Sequence, residues 1–194
     1  MDATPTGAMP RLTDRLFPGW LRPVPDLPTV AEVDLERYSG KWYELARLPT
    51  RFQDPQSVST ATYTPREDGA VTVFNQAFRE GEQVGSITGS ATSANPGEDS
   101  RLRVRFGGPL SLLPVQRGGN YYVLDLADDY SMALVGAPNR QNLWLLGRDP
   151  ALWDSARAAQ MVQQAGELGY DTTRLQVADW DAGLLRPPGA SREG

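Results

Sequence analysis

The sequence contains no histidine and no cysteine among its 194 residues. Their absence excludes Ser-His-Asp and Cys-His nucleophilic pairs, imidazole general bases, thiolate metal sites and disulfide bonds. An enzyme of this composition would depend on Asp, Glu, Lys, Tyr or a bound cofactor. The sequence also lacks a Gly-rich phosphate loop and an acidic calcium-loop pattern. We therefore expect a binding protein rather than an enzyme, with no metal ion and no cofactor.

Positive charge and long apolar runs are also scarce. Against 24 Asp and Glu there are 19 Lys and Arg, which gives a net charge of −5 and no basic surface for nucleic acid. No apolar run approaches the ~18 residues of a membrane-spanning helix. The start of the chain lacks the apolar core of a signal peptide. By default we expect a cytoplasmic protein, with the periplasm or outer membrane as the alternative if an export segment is missing from this sequence.

The length suits one domain with extensions. We expect a Pro-rich N-terminal extension over residues 1–30, a main domain over 31–182 and a flexible tail over 183–194. Within the main domain, short β-favouring runs are separated by turn residues, as in a barrel or a sandwich. The first predicted strand follows the Ser39-Gly40 turn, and the others are residues 57–64, 70–78, 83–93, 102–106, 121–126, 130–136 and 142–147.

A helix is predicted after the last strand. Asp149 suits the position that caps a helix N-terminus and Pro150 suits its first turn. The predicted helix covers residues 151–168 and ends at Gly169. Its apolar stripe is expected to pack against the strands and consists of Leu152, Trp153, Ala156, Ala159 and Val162. Residues 175–180 are predicted to add a short strand at the edge of the sheet.

Three segments in order carry a family resemblance. The first is Gly40-Lys41-Trp42-Tyr43-Glu44-Leu45-Ala46-Arg47, the second spans residues 121–136 and the third spans residues 143–150. Together they resemble the three signatures of the lipocalins, and they are closest to the bacterial lipocalin and apolipoprotein D branch. The resemblance implies an all-β fold, an eight-stranded antiparallel up-and-down β-barrel with a C-terminal α-helix packed on its outside.

The resemblance also implies how the barrel is closed at one end. The family places the arginine that follows the last strand, here Arg148, across the closed end and against the indole of the first signature, here Trp42. Gly40, Asp128 and Tyr130 are then expected to be structural residues of this barrel floor.

The other end of the barrel is expected to open into a ligand cavity. Strand alternation places Trp42, Glu44 and Ala46 on one face of the first strand, and Tyr43, Leu45 and Arg47 on the other. An inward carboxylate at Glu44 would be costly without a partner, so Asn75, a tyrosine hydroxyl or bound water is expected beside it. Alternation predicts Glu44, Ala46 and Trp144 as ligand-binding residues. The resemblance to the lipocalins implies that Ala61, Tyr63, Val73, Asn75, Tyr121 and Val123 are ligand-binding residues as well.

The function implied by the resemblance is to carry or scavenge small hydrophobic molecules such as fatty acids, lysophospholipids and related membrane lipids. Arg51 and Arg117 are expected to offer charge to a polar head at the mouth. A lipocalin-fold enzyme that converts a lipid or a carotenoid-like substrate is the alternative, with Glu44 and a tyrosine as its candidate groups. Transient membrane contact or a homodimer, formed through Leu110–Leu113 and Phe17–Trp20, is a third hypothesis.

Overall fold

The computed structural model describes residues 26–51, 53–107 and 118–180. Eight strands form a closed antiparallel barrel, in which each strand pairs with the next along the chain and β8 pairs with β1. A short helix α1 (Leu35–Tyr38) precedes the first strand, and the strands are β1 (Gly40–Arg47), β2 (Val58–Pro65), β3 (Val71–Arg79), β4 (Glu82–Ser93), β5 (Arg101–Phe106), β6 (Tyr121–Leu126), β7 (Met132–Gly136) and β8 (Leu143–Gly147). The predicted eight-stranded up-and-down barrel is confirmed.

Two apolar clusters lie on the two sides of the barrel wall. The inner cluster contains Trp42, Tyr63 and Val135. The outer cluster contains Leu45 and Met161 and lies between the wall and the C-terminal helix. Strand residues alternate between the clusters, because successive side chains of a strand point to opposite faces of a sheet. This alternation separates the residues that can reach a cavity from those that bind the helix.

The C-terminal helical region differs from the prediction in its details. Asp149 caps a 3-10 helix, Pro150–Asp154, by accepting a hydrogen bond from the Ala151 amide at 2.9 Å. Ser155 then caps the α-helix α2, Ala156–Glu167. Of the predicted stripe, Leu152, Trp153 and Val162 pack against the outer cluster, whereas Ala156 and Ala159 are exposed. The buried residues of α2 are Ala158, Met161 and Ala165, which the prediction did not include. The helix packs on the outside of the barrel as predicted.

Both ends of the described chain contact the barrel. Leu27 is buried in the outer cluster, and the Val30 amide donates a hydrogen bond to the Val123 carbonyl at 3.0 Å. The predicted C-terminal strand is shorter than expected, since only the two residues of β9 (Gln176–Val177) form a strand, which pairs with β1. Where the chain is described, no helix combines the length and hydropathy needed to cross a membrane.

Some predictions fall outside the described residues. They concern the apolar segments Phe17–Trp20 and Leu110–Leu113 and the side chain of Arg117. The domain boundaries at residues 30 and 182 stay predictions.

Candidate functional site

The barrel encloses a cavity of about 1130 Å³ that opens at the end opposite α1. Its wall is mainly apolar and includes Ile87, Phe106 and Leu146. Val123 is buried in the inner cluster rather than on the cavity wall. Seven of the predicted ligand-binding residues line the cavity, namely Glu44, Ala61, Tyr63, Val73, Asn75, Tyr121 and Trp144.

A β-bulge in β1 changes which of its residues face the cavity. Glu44 is opposite Leu146 on β8, whereas Ala46 is opposite Leu145, so Leu45 is an extra residue in the ladder. Alternation therefore reverses after Leu45. The prediction that Ala46 faces the cavity is wrong, because Ala46 packs in the outer cluster.

The same bulge turns Arg47 inward beside Glu44. The two side chains form a buried ion pair through Arg47 Nη1 and Glu44 Oε1, and both are almost fully excluded from solvent. Gln53 Nε2 donates a second hydrogen bond to Glu44 Oε2 at 2.8 Å. The expected pairing of Glu44 with Asn75 or a tyrosine hydroxyl is therefore wrong. Strict alternation would have put Arg47 on the opposite face, which is why the sequence did not reveal this pair.

Arg47 also fastens the loop between β1 and β2 over the cavity. Its guanidinium donates to the carbonyl oxygen of Ser57 at 3.1 Å and to that of Asp54 at 2.8 Å. Burial raises the pKa of Glu44, and the charge of Arg47 and the hydrogen bond from Gln53 oppose that rise. The Glu44 carboxylate thus holds the loop in place through its contacts with Arg47 and Gln53.

Gln53 connects this network to the cavity wall. Its side-chain oxygen accepts a hydrogen bond from Trp144 Nε1 at 3.4 Å, and its Nε2 donates to Ser59 Oγ at 3.2 Å. The indole of Trp144 is half-buried along the wall. The loop residue Gln53 therefore positions an aromatic ring of the cavity wall.

Three tyrosine hydroxyls meet at the deep end of the cavity. The Tyr121 hydroxyl oxygen lies 2.7 Å from that of Tyr38 and 2.8 Å from that of Tyr63. Burial raises the pKa of Tyr63 to about 12 and raises those of Tyr38 and Tyr121 as well. All three are neutral at physiological pH. Tyr38, which comes from α1, was not predicted, because nothing in a four-residue helix indicates an inward hydroxyl.

Below the tyrosines, Arg148 lies across the indole of Trp42. The guanidinium carbon is 3.9 Å from the ring centroid. Arg148 also donates hydrogen bonds to the carbonyl oxygens of Arg37 at 3.0 Å and Lys41 at 2.9 Å. Trp42 Nε1 in turn donates to the Tyr38 carbonyl at 2.8 Å. The indole and the guanidinium that were expected at the floor are in contact there.

The remaining floor residues surround this pair. The guanidinium of Arg37 lies 4.0 Å from the ring centroid of Tyr130 and donates to the Asp128 carbonyl at 2.7 Å. Gly40 has a φ of +88°, and a Cβ there would lie 3.4 Å from a nitrogen of Arg148. A side chain at position 40 would therefore be strained by this φ, and its Cβ would be in van der Waals contact with the guanidinium.

The mouth of the cavity carries a local excess of positive charge. Arg51, Arg140 and Arg174 lie around it, and Asp171 is the one carboxylate among the described residues of the rim. Arg140 is held in place by its hydrogen bond to the Leu168 carbonyl at 2.7 Å. This cationic rim contrasts with the net charge of −5 of the whole chain. Within the described ranges, no group of three or more acidic side chains could hold a metal ion.

Comparisons with known proteins agree with this architecture. A family model described as a lipocalin-like domain matches residues 33–179. Temperature-induced lipocalin-1 of Arabidopsis thaliana is 41% identical over 154 residues, which are 77% of this chain and 81% of the plant protein. The outer membrane lipoprotein Blc of Vibrio cholerae is 36% identical over 148 residues, covering 75% of this chain and 82% of that protein.

A solved structure also resembles this fold. Insecticyanin from the tobacco hornworm Manduca sexta superposes with a TM-score of 0.58 at 17% sequence identity. The match covers 82% of this chain and 88% of insecticyanin. At this identity the likeness concerns the fold alone.

Proposed function

This chain belongs to the lipocalin family, and on that premise we propose that it carries or scavenges membrane-derived amphiphiles such as fatty acids and lysophospholipids. The observation that carries the proposal is a closed barrel around a cavity of about 1130 Å³ with a mainly apolar wall and a cationic rim. Small-molecule sites usually combine an apolar lining with a few polar groups. The ligand is held without chemical change.

Apolar burial supplies the affinity. An acyl chain that buries ~300 Å² of its surface gains about 7 kcal/mol at roughly 25 cal/mol per Å² before the costs of association. That gain alone corresponds to a dissociation constant of about 10 µM, and the costs of association make the binding weaker than this. Release then occurs by partition into a membrane, because such modest affinity lets the bilayer compete for the chain. Transient membrane contact at the mouth is part of this proposal.

The rim sets the orientation of the ligand. An anionic head group gains from Arg51, Arg140 and Arg174 at the mouth, whereas the same charge would be costly beside the neutral tyrosines at the deep end. Arg51, which was expected from the sequence to meet the head group, lies on this rim. We therefore propose that the head stays at the mouth and the tail enters the barrel.

The relatives bear on where the protein works. The Vibrio relative is named an outer membrane lipoprotein, which supports the periplasmic or outer-membrane alternative. The cytoplasmic default expected from the sequence finds no support among these relatives. We propose that the carrier exchanges its ligand at that membrane.

We expect Trp144→Ala to weaken binding of a fluorescent fatty acid about tenfold. Loss of ~60 Å² of ligand contact with the indole removes about 1.5 kcal/mol, which is close to a factor of ten in the dissociation constant. A fluorescence titration measures the effect, and thermal unfolding checks that the variant is folded. Trp144→Phe is the matched control, because it keeps an aromatic ring and should lose less. Unchanged affinity in Trp144→Ala would remove this residue from the site.

Incubation of the protein with a panel of lipids separates a carrier from an enzyme. After extraction, mass spectrometry should recover each lipid unchanged if the protein is a carrier. A product that disappears with Glu44→Gln would instead support the enzyme alternative, although Glu44 is engaged by Arg47 and Gln53.

A further inference from the structure

The three tyrosines at the deep end of the cavity have three hydroxyl protons but form only two hydrogen bonds with one another. Each hydroxyl carries one proton, so the cluster of Tyr38, Tyr63 and Tyr121 has three. Its two hydrogen bonds use two of them, and these hydroxyls have no other partner among the described residues. One O–H group is therefore left to donate elsewhere.

The surplus proton is on the cavity side of the cluster. Tyr38 is buried behind the wall, whereas Tyr63 and Tyr121 line the cavity. If the chain of hydrogen bonds ended on Tyr38, its proton would be buried with no acceptor, an arrangement that proteins avoid. The bonds instead run outward from Tyr38, so Tyr63 or Tyr121 offers a neutral donor to whatever occupies the cavity.

An unpartnered acceptor lies on the same stretch of wall. The side-chain oxygen of Asn75 is buried and has no hydrogen bond to any described residue. Asn75 is opposite Ala61 on β2, which is two residues from Tyr63 on the same face, or about 7 Å along the strand. The wall therefore presents one spare donor and one spare acceptor at neighbouring levels.

We propose that this pair of groups is a subsite for a hydroxyl on the buried part of the ligand. The ligand oxygen accepts the tyrosine proton, and the ligand O–H donates to Asn75 Oδ1. A plain hydrocarbon tail satisfies neither group, and a water molecule there would occupy space that the tail needs. The inference rests on the proposed lipid-carrying function and adds a ligand class, namely amphiphiles hydroxylated on the acyl chain.

The depth of the subsite lies within the reach of an acyl chain. Ser59, which contacts the loop residue Gln53, and Tyr63 are four residues apart on β2, so the tyrosines lie about 13 Å further in. A hydroxyl next to the head group would stay near the mouth. The preferred hydroxyl is therefore well along the tail.

Competition binding tests the subsite with defined probes. Hexadecanoic acid and its 8-, 12- and 16-hydroxy derivatives each displace a fluorescent fatty acid from the wild-type protein. For each protein, the measured quantity is the affinity for a hydroxy acid divided by the affinity for hexadecanoic acid. For one of the distal hydroxy acids, this ratio should be about tenfold higher in the wild-type protein than in Asn75→Leu or in Tyr63→Phe/Tyr121→Phe. The tyrosine variant is double because either hydroxyl alone could still donate. Tyr43→Phe is the matched control, since it removes a tyrosine hydroxyl outside the cavity.

The outcomes separate the two proposals. If no acid binds the wild-type protein, the proposed function fails and the subsite fails with it. If hexadecanoic acid binds but every hydroxy acid shows the same relative affinity in the wild type and both variants, the function stands and the subsite is overturned. Asn75→Leu keeps the test available if the double tyrosine variant does not fold.

Discussion

Trp42→Ala is expected to lower the free energy of unfolding by about 3–5 kcal/mol, the range for deleting a fully buried aromatic side chain. Trp42 has no solvent exposure and lies at the centre of the floor, against Arg148 and the ring of Tyr38. The substitution leaves a large cavity and removes the hydrogen bond to the Tyr38 carbonyl. Urea unfolding followed by circular dichroism measures the loss.

A matched control separates the floor from aromatic burial in general. Trp153 is partly buried against the outer cluster, on the other side of the barrel wall. Trp153→Ala makes the same chemical change outside the barrel and should cost clearly less. Equal losses in the two variants would contradict the claim that the floor closes the fold. A double-mutant cycle of Trp42→Leu with Arg148→Met should then show a coupling of about 0.5–2 kcal/mol from the cation–π contact.

The second large effect is expected at Arg47. Arg47→Met should destabilise the protein by about 3–5 kcal/mol at neutral pH, because it leaves the buried carboxylate of Glu44 without its cation. It also releases the carbonyl groups of Asp54 and Ser57 in the loop over the cavity. Adding Glu44→Gln should recover most of the loss, since the remaining buried groups are neutral. Urea unfolding of the two single variants and the double variant measures the coupling.

The pH dependence of the same pair has a definite sign. Burial raises the pKa of Glu44 in the folded protein above its value in the unfolded chain. The folded state then holds the proton more tightly, so the contribution of Glu44 to stability is greatest at acidic pH and is lost as pH rises from about 4 through the folded pKa. Relative to Glu44→Gln, the wild-type protein should lose stability over that interval. If the wild-type protein instead gains stability relative to Glu44→Gln as pH rises, then Arg47 and Gln53 lower the pKa of Glu44 more than burial raises it.

The barrel could be predicted from the sequence because the same kind of pattern recurs in many strands. Alternating side chains, turn residues and three motifs in order agree with one another, and errors at single positions do not change the topology. The contact of Trp42 with Arg148 was predictable for the same reason, since both residues belong to motifs. Most of the predicted cavity lining came from the resemblance to the lipocalins, and strand alternation added Glu44 and Trp144.

Alternation failed where one extra residue interrupts the ladder. The bulge at Leu45 turns Ala46 outward and Arg47 inward, and no residue in that segment is a glycine that would have indicated it. The partners of Glu44 were missed as a consequence. The buried residues of α2 were missed because the break at Ser155 changes the phase of the helix, and a local sequence pattern does not show where a 3-10 helix gives way to an α-helix.

The central claim is that the ligand is bound inside the barrel. Ala61 lines the cavity, and Ala61→Trp would place an indole in that space on the inner side of the wall. Val177 is half exposed on the outside, so Val177→Trp is the matched control. Native mass spectrometry with hexadecanoic acid counts the bound molecules directly. We expect one on the wild-type protein and on Val177→Trp, and a clearly smaller bound fraction on a folded Ala61→Trp at the same concentration. The same bound fraction on all three proteins would contradict the account.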